Sequence, residues 1–217
     1  MDSVDIEVLR TAEQWRKSGR KVALGTIVKT WGSAPRPVGA MVAVRDDGQV
    51  VGSLSGGCVE DDVARHGREV IDADVHRLLR YGEGSPWIDI KLACGAGISV
   101  LVEPVASDDP AIALLLDGYR DRKVIEWRSG GEKRKAGFAA QGIPSHPHWD
   151  GSSFTTIFEP PLRLVIIGAD ATALALAELA LHLGTEVVLI APGGPETAPF
   201  GGIPYSRSIE PNTLTLD

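Results

Sequence analysis

Leu162-Arg163-Leu164-Val165-Ile166-Ile167-Gly168-Ala169-Asp170-Ala171-Thr172-Ala173-Leu174 decides the fold class. A short apolar run rich in β-branched residues meets a glycine turn. An alanine- and leucine-rich stretch then runs to Leu183 and is closed by Gly184, and a second apolar run covers Glu186 to Ile190. Strand, helix and strand in that order form a β-α-β unit of the kind found in doubly wound parallel sheets. The chain is therefore expected to be α/β, with residues 161–217 as a truncated, partial Rossmann-like β-α-β domain. A dinucleotide fingerprint needs Gly-x-Gly-x-x-Gly between strand and helix and an acid near the end of the second strand. Here only Gly168 of the three glycines is present. Asp170 stands where a pyrophosphate would approach, and the second strand ends Leu189-Ile190-Ala191-Pro192 without an acid. The architecture is retained and the dinucleotide chemistry is not. Two parallel strands alone leave open edges, so this unit is expected to pack on the rest of the chain or on a second copy, and a homodimer is expected.

Upstream, residues 1–128 read as a mixed α/β domain. Asp5 to Ser18 carries Ile6, Leu9 and Trp15 near helical spacing, with Gly19 at the C-cap. Lys21 to Val28 is a strand, broken by the loop Trp31-Gly32-Ser33-Ala34-Pro35-Arg36-Pro37. Ala40 to Arg45 and Gln49 to Ser53 form a hairpin about Asp46-Asp47-Gly48. A helix follows Cys58, with Val59, Val63, Gly67, Val70 and Ile71 on one face and Glu60, Asp61 and Asp62 in its first turn, where they favour the helix dipole. Val75 to Arg80, Trp87 to Leu92, Ile98 to Val102 and Lys123 to Trp127 read as strands, Tyr81 to Pro86 as a loop, and Pro110 to Gly118 as a helix. From Ser129 the chain turns rich in Gly, Ser, Pro and charge, so 129–160 is expected to be a linker or an extended hairpin.

The balance of charge narrows the classes of partner. Lys and Arg number 22 against 29 Asp and Glu, a formal net charge of −7, and no basic face stands out, which argues against nucleic acid. No apolar run reaches the roughly 20 residues of a membrane span. The start Met1-Asp2-Ser3-Val4-Asp5 lacks a basic segment followed by an apolar core, so a cytoplasmic setting with reduced thiols is expected.

Against that background the two cysteines stand out, each in a glycine-rich turn: Gly52-Ser53-Leu54-Ser55-Gly56-Gly57-Cys58-Val59-Glu60 and Cys94-Gly95-Ala96-Gly97. A cysteine at a helix start has unpaired N–H groups and partial positive charge nearby, which suits a metal ligand or nucleophile. The competing reading is a small buried helix-start residue, and the acids at 60–62 disfavour a thiolate. Gly56-Gly57 permits positive φ and close backbone approach, suited to a phosphate or another anion. Ser55 adds a hydroxyl donor or caps the helix. Cys94 is open to the same pair of readings, a site residue or a bulge in a strand pair. Arg36 in its proline-bounded loop is either a phosphate clamp or a solvated cation. Two cysteines cannot complete a tetrahedral zinc site, and His146-Pro147-His148 reads as an exposed loop rather than a metal site.

Together, Gly32-Ser33-Ala34-Pro35-Arg36-Pro37-Val38-Gly39-Ala40-Met41, Gly52 to Glu60, and Cys94-Gly95-Ala96-Gly97 resemble the XdhC/CoxI family, the accessory proteins of xanthine dehydrogenase and related molybdenum hydroxylases. The degenerate β-α-β unit is similar to that family's C-terminal domain, although Ala96 stands where a second glycine is common. The resemblance implies a chaperone rather than an enzyme, with no catalytic residue. Such a protein binds the molybdenum cofactor transiently, protects it during sulfuration and delivers it to an apo hydroxylase, with a cysteine desulfurase as a further partner. It implies a cofactor-handling site of Ser55, Gly56, Gly57, Cys58, Cys94, Gly95 and Arg36, with Cys58 as metal ligand. Two other readings stay open: a dinucleotide-dependent oxidoreductase working through the C-terminal unit, and a scaffold that recruits the sulfurating enzyme.

Overall fold

The computed structural model describes residues 3–82, 95–131, 133–140, 146–168, 170–194, 196 and 202–208. They fall into two compact units, Met1–Pro160 and Pro161–Asp217.

The first unit is built on an antiparallel sheet. Helix α1 (Ser3–Lys17) precedes β1 (Val22–Trp31), the hairpin of β2 (Met41–Arg45) and β3 (Val50–Gly52), helix α2 (Glu60–Ala73), β4 (Arg77–Tyr81) and β5 (Gly97–Val105). The strand order is β3-β2-β1-β5-β4. Seven consecutive residues of β1, Val22 to Val28, are buried. This lack of alternation follows from packing on both faces. Ala23, Ile27, Val42, Val44, Ile98, Val100 and Val102 meet Val63, Val70 and Ile71 of α2 on one side. Val22, Leu24, Met41, Ala43 and Val105 meet α1 and helix α3 (Ala111–Arg120) on the other.

Beyond α3 the chain is not a tether. The stretch 129–160, read from sequence as a linker or an extended hairpin, carries β7 (Lys135–Phe138), β8 (His148–Trp149) and β9 (Ser153–Phe158). With β6 (Ile125–Gly130) these form a four-stranded antiparallel sheet ordered β7-β6-β9-β8. Trp127 of β6 and Phe158 of β9 are buried in the same cluster as α1 and α3, with their rings edge to face at 6.0 Å. The strand expected at Trp87 to Leu92 lies outside the described residues.

The second unit holds β10 (Arg163–Ile167), helix α4 (Ala171–His182), β11 (Glu186–Ile190) and β12 (Tyr205–Ser206). The β-α-β reading holds: β10 and β11 pair in parallel, residue for residue from Arg163↔Glu186 to Ile167↔Ile190. A third parallel strand, β12, adds Leu189↔Tyr205 and Ile190↔Ser206, so the sheet goes one strand beyond the two read from sequence.

Candidate functional site

The register of the five-stranded sheet collects the glycine-rich segments. Trp31 pairs with Gly97, Thr26 with Met41, Val42 with Gly52, and Tyr81 with Ile98. Loop 32–40, turn 53–59, and the chain at Gly82 and Gly95 therefore all leave from one end of the sheet. Arg36, Ser55, Gly56, Gly57, Cys58 and Gly95 share that end. Cys94 lies outside the described residues.

At the centre is the turn from Ser53 to Val59. Leu54 and Val59 are fully buried in the core and anchor its two flanks, while Gly56, Gly57 and Cys58 are exposed between them. Cys58 is a free, exposed cysteine. Gly56 and Gly57 take φ of +79° and +112° with open space around each Cβ position, so backbone conformation rather than crowding calls for glycine there.

The turn is organised by a side chain that the sequence reading placed only in the first turn of α2. The Glu60 carboxylate accepts hydrogen bonds from the backbone N–H groups of Leu54 (2.8 Å), Ser55 (2.8 Å), Gly57 (2.9 Å) and Val59 (3.1 Å). It also accepts from the hydroxyls of Ser53 (3.1 Å) and Ser55 (2.8 Å). Gly56 N–H donates to Ser53 Oγ (3.0 Å) and Cys58 N–H to Ser55 Oγ (2.9 Å). All six backbone N–H groups from Leu54 to Val59 are thus satisfied within the turn. Partial burial works against the charge on Glu60, but the N–H groups of Ser55 and Leu54 and the Ser55 hydroxyl outweigh it and hold the carboxyl at about 2. The N–H groups of the turn converge on the chain's own carboxylate, so the acceptor at Gly56-Gly57 is Glu60 rather than the phosphate expected from sequence. Ser55 acts through its oxygen, which takes the N–H groups of Cys58 and Val59. The sequence carries only a partial signal for this: Gly57-x-x-Glu60 has the spacing of a capping box, but Glu60 is the first residue of α2 and not its third, so the usual pattern does not point to it.

Arg36 is not a solvated cation. Its Nη2 lies 3.3 Å from Oδ1 of Asp5, a buried residue of α1 whose same oxygen accepts the Met41 N–H at 3.0 Å. The guanidinium ties loop 32–40 to α1, and a phosphate would have to compete with that carboxylate. Gly32, at φ +64°, lies against Gly95 and Ala96, where a Cβ would stand 3.1 Å from the Gly95 carbonyl oxygen. A Cβ on Gly97 would fall 1.9 Å from the Trp31 indole. The Arg80 guanidinium sits over the same Trp31 ring at 4.9 Å. Tyr81, from the end of β4, donates to Asp62 Oδ2 at 2.7 Å and so fixes the first turn of α2 to the sheet. Burial and this carboxylate together push the phenol well above its usual range.

In the second unit Asp170 caps α4, accepting the Ala173 N–H at 2.8 Å. Its carboxylate occupies the helix N-terminus where a dinucleotide pyrophosphate would bind. Among the described residues no group of three or more His, Cys, Asp or Glu side chains is arranged to hold a metal ion. His148 lies in β8, paired with Thr155. No described helix is long and apolar enough to cross a membrane.

Residues 15–82, from late α1 to Gly82 after β4, match the XdhC and CoxI family. The chain is 36% identical over 179 residues to the molybdenum cofactor insertion chaperone PaoD of Escherichia coli (strain K12), an alignment covering 82% of this chain. The chain belongs to the XdhC and CoxI family. It is also 29% identical, over 78% of its length, to a protein of Bacillus subtilis (strain 168) named as a probable subunit of xanthine dehydrogenase. It spans 55% and 59% of the lengths of these two relatives, a little over half. The crystal structure of a xanthine dehydrogenase from Bacillus halodurans superimposes with a TM-score of 0.65 at 26% identity, covering 88% of this chain and 62% of that one. The XdhC and CoxI match contains Arg36, the Ser55 to Cys58 turn and Glu60, and stops short of Gly95.

Proposed function

We propose that this chain carries the molybdenum cofactor to an apo molybdenum hydroxylase of the xanthine dehydrogenase type and is itself not a catalyst. The observation that carries this reading is the free thiol of Cys58, exposed on a turn clamped at both flanks in the core, at the sheet end shared by loop 32–40 and the Gly95 turn. A thiol is a soft donor and suits a molybdenum centre better than a hard cation. The chemistry of the donor set fits the metal end of the cargo. Gly95 lies at the same sheet end, and Cys94, its neighbour in sequence, is the second candidate thiol of the site. The 36% identity to PaoD, a molybdenum cofactor insertion chaperone by name, supports the same cargo.

Protecting the cofactor while a cysteine desulfurase supplies its sulfur, and releasing it afterwards, are the steps this transient carriage would serve. A cytoplasmic setting is consistent with a free, exposed cysteine. The oxidoreductase reading draws no support from the second unit, because Asp170 fills the pyrophosphate position. The test is client activity: hydroxylase matured with the Cys58→Ala chain should lose at least about tenfold in activity, the smallest effect expected even for an outer partner of a metal site. Full activity with that variant would refute the site.

A further inference from the structure

We infer that Glu60 is the positioning residue of the Cys58 turn: its carboxylate is a built-in anion that holds the thiol outward and keeps phosphate groups off the turn's amides. The inference rests on the carrier reading for what binds at Cys58, but not for the geometry.

A glycine-rich turn entering a helix ordinarily offers its N–H groups to a bound phosphate. Here the acceptors are internal. Glu60 Oε1 takes Leu54 N–H and Ser55 N–H, Oε2 takes Gly57 N–H and Val59 N–H, and the two serine hydroxyls take Gly56 N–H and Cys58 N–H. A phosphate arriving at this turn would find no unsatisfied donor and would meet a fixed negative charge at the centre of the cradle. Buried Leu54 and Val59 keep the turn from opening to expose new donors. What remains for a ligand is the sulfur atom. The turn therefore selects for a sulfur-seeking centre, and the phosphate of a pterin ligand must be held elsewhere. This separates two functions that the sequence had placed together on Gly56-Gly57-Cys58.

The separation has a chemical signature at Cys58 that requires no cofactor. Alkylation by neutral iodoacetamide and by anionic iodoacetate, read at Cys58 by peptide mass spectrometry on the full chain, compares approach of the two charge types to one sulfur. The ratio of the two rates cancels any common change in exposure or nucleophilicity. In Glu60→Gln the amide loses the charge and one acceptor and turns N–H donors toward N–H donors, so the anionic reagent should gain about three- to tenfold over the neutral one. Inorganic phosphate should leave the wild-type rates unchanged and should protect Cys58 in Glu60→Gln. Glu60→Asp, which restores the charge, should return the ratio toward wild type. A purely structural role for Glu60 would raise both rates alike and leave the ratio fixed, and that result overturns the inference. Protection of wild-type Cys58 by phosphate overturns it as well, and this arm decides the matter even if the variants do not fold. Molybdenum binding retained in Cys58→Ala would overturn the carrier reading alone, so the two claims fail separately.

Discussion

At the scale of single residues, Glu60 ties the chemistry of the turn to the stability of the first unit. Its carboxyl sits at about 2 in the folded chain against an ordinary value of 4.5. A depressed folded value means the stabilisation is fully present above about pH 4.5 and is lost as pH falls toward 2. Urea unfolding followed across that window should show stability declining with acid, and Glu60→Gln should flatten this part of the slope. The same substitution should cost roughly 2 kcal/mol at neutral pH, because several amides lose a charged acceptor. The neighbouring glycines divide by cause. Gly56→Ala meets open space at φ +79°, so its cost should be near 1 kcal/mol, the strain of a left-handed alanine. Gly52→Ala combines φ +99° with a Cβ 2.4 Å from the Met41 carbonyl oxygen and 2.6 Å from Val8. Both clashes lie within the core, so it should destabilise the chain well beyond Gly56→Ala. Equal melting temperatures for the two variants would contradict that ordering.

At the scale of elements, the sheet of β6 to β9 is joined to the first by a buried ion-pair chain. Arg134, just before β7, lies 2.6 Å from Asp109 ahead of α3 and 3.6 Å from Glu103 of β5, all with nearly inaccessible side chains. Glu103 also accepts the Gly130 N–H at 2.7 Å, and Asp109 accepts the Ala111 N–H at the start of α3. Arg134→Met would leave two buried carboxylates facing each other without a cation, a loss of about 3–5 kcal/mol. Chemical denaturation should show that loss, and a shift under about 1 kcal/mol would mean that water reaches the cluster. These links explain why 129–160 did not read as a sheet. β7 and β8 are four and two residues long and rich in glycine and charge around them, so local periodicity carries almost nothing. Each pairs with a near neighbour in the chain, Trp127↔Ala136 and Trp149↔Phe154, and only the joining of β6 to β9, as at Trp127↔Thr156, links distant segments into one sheet. The elements around Cys58 were legible, because α2 announces itself through Val63, Val70 and Ile71 on one face and β2-β3 through the Asp46-Asp47-Gly48 turn. The role of Glu60 was not, because it depends on the positive φ of Gly56 and Gly57, which bends the chain back over its own carboxylate.

At the scale of the molecule, the β-α-β unit was legible because both strands and the helix are apolar runs of ordinary length. Strand β12 was not, since two residues, Tyr205 and Ser206, carry no pattern of their own. Helix α4 is apolar on nearly all sides, and Leu176, Leu179, Leu181 and Leu183 remain between 45% and 70% exposed. We propose that a second copy of this chain covers that surface. Light scattering should then return twice the mass of 23.0 kDa at micromolar concentration, and a stable monomer would count against it. The central claim concerns cargo, and one measurement addresses it most directly. The full chain, purified from a molybdenum-replete host as wild type and as Cys58→Ala, is assayed for molybdenum and for pterin. The account predicts both, in equal amounts, on the wild type, and a clear drop in molybdenum on the variant. Equal molybdenum on the two proteins, or none on the wild type, would contradict it.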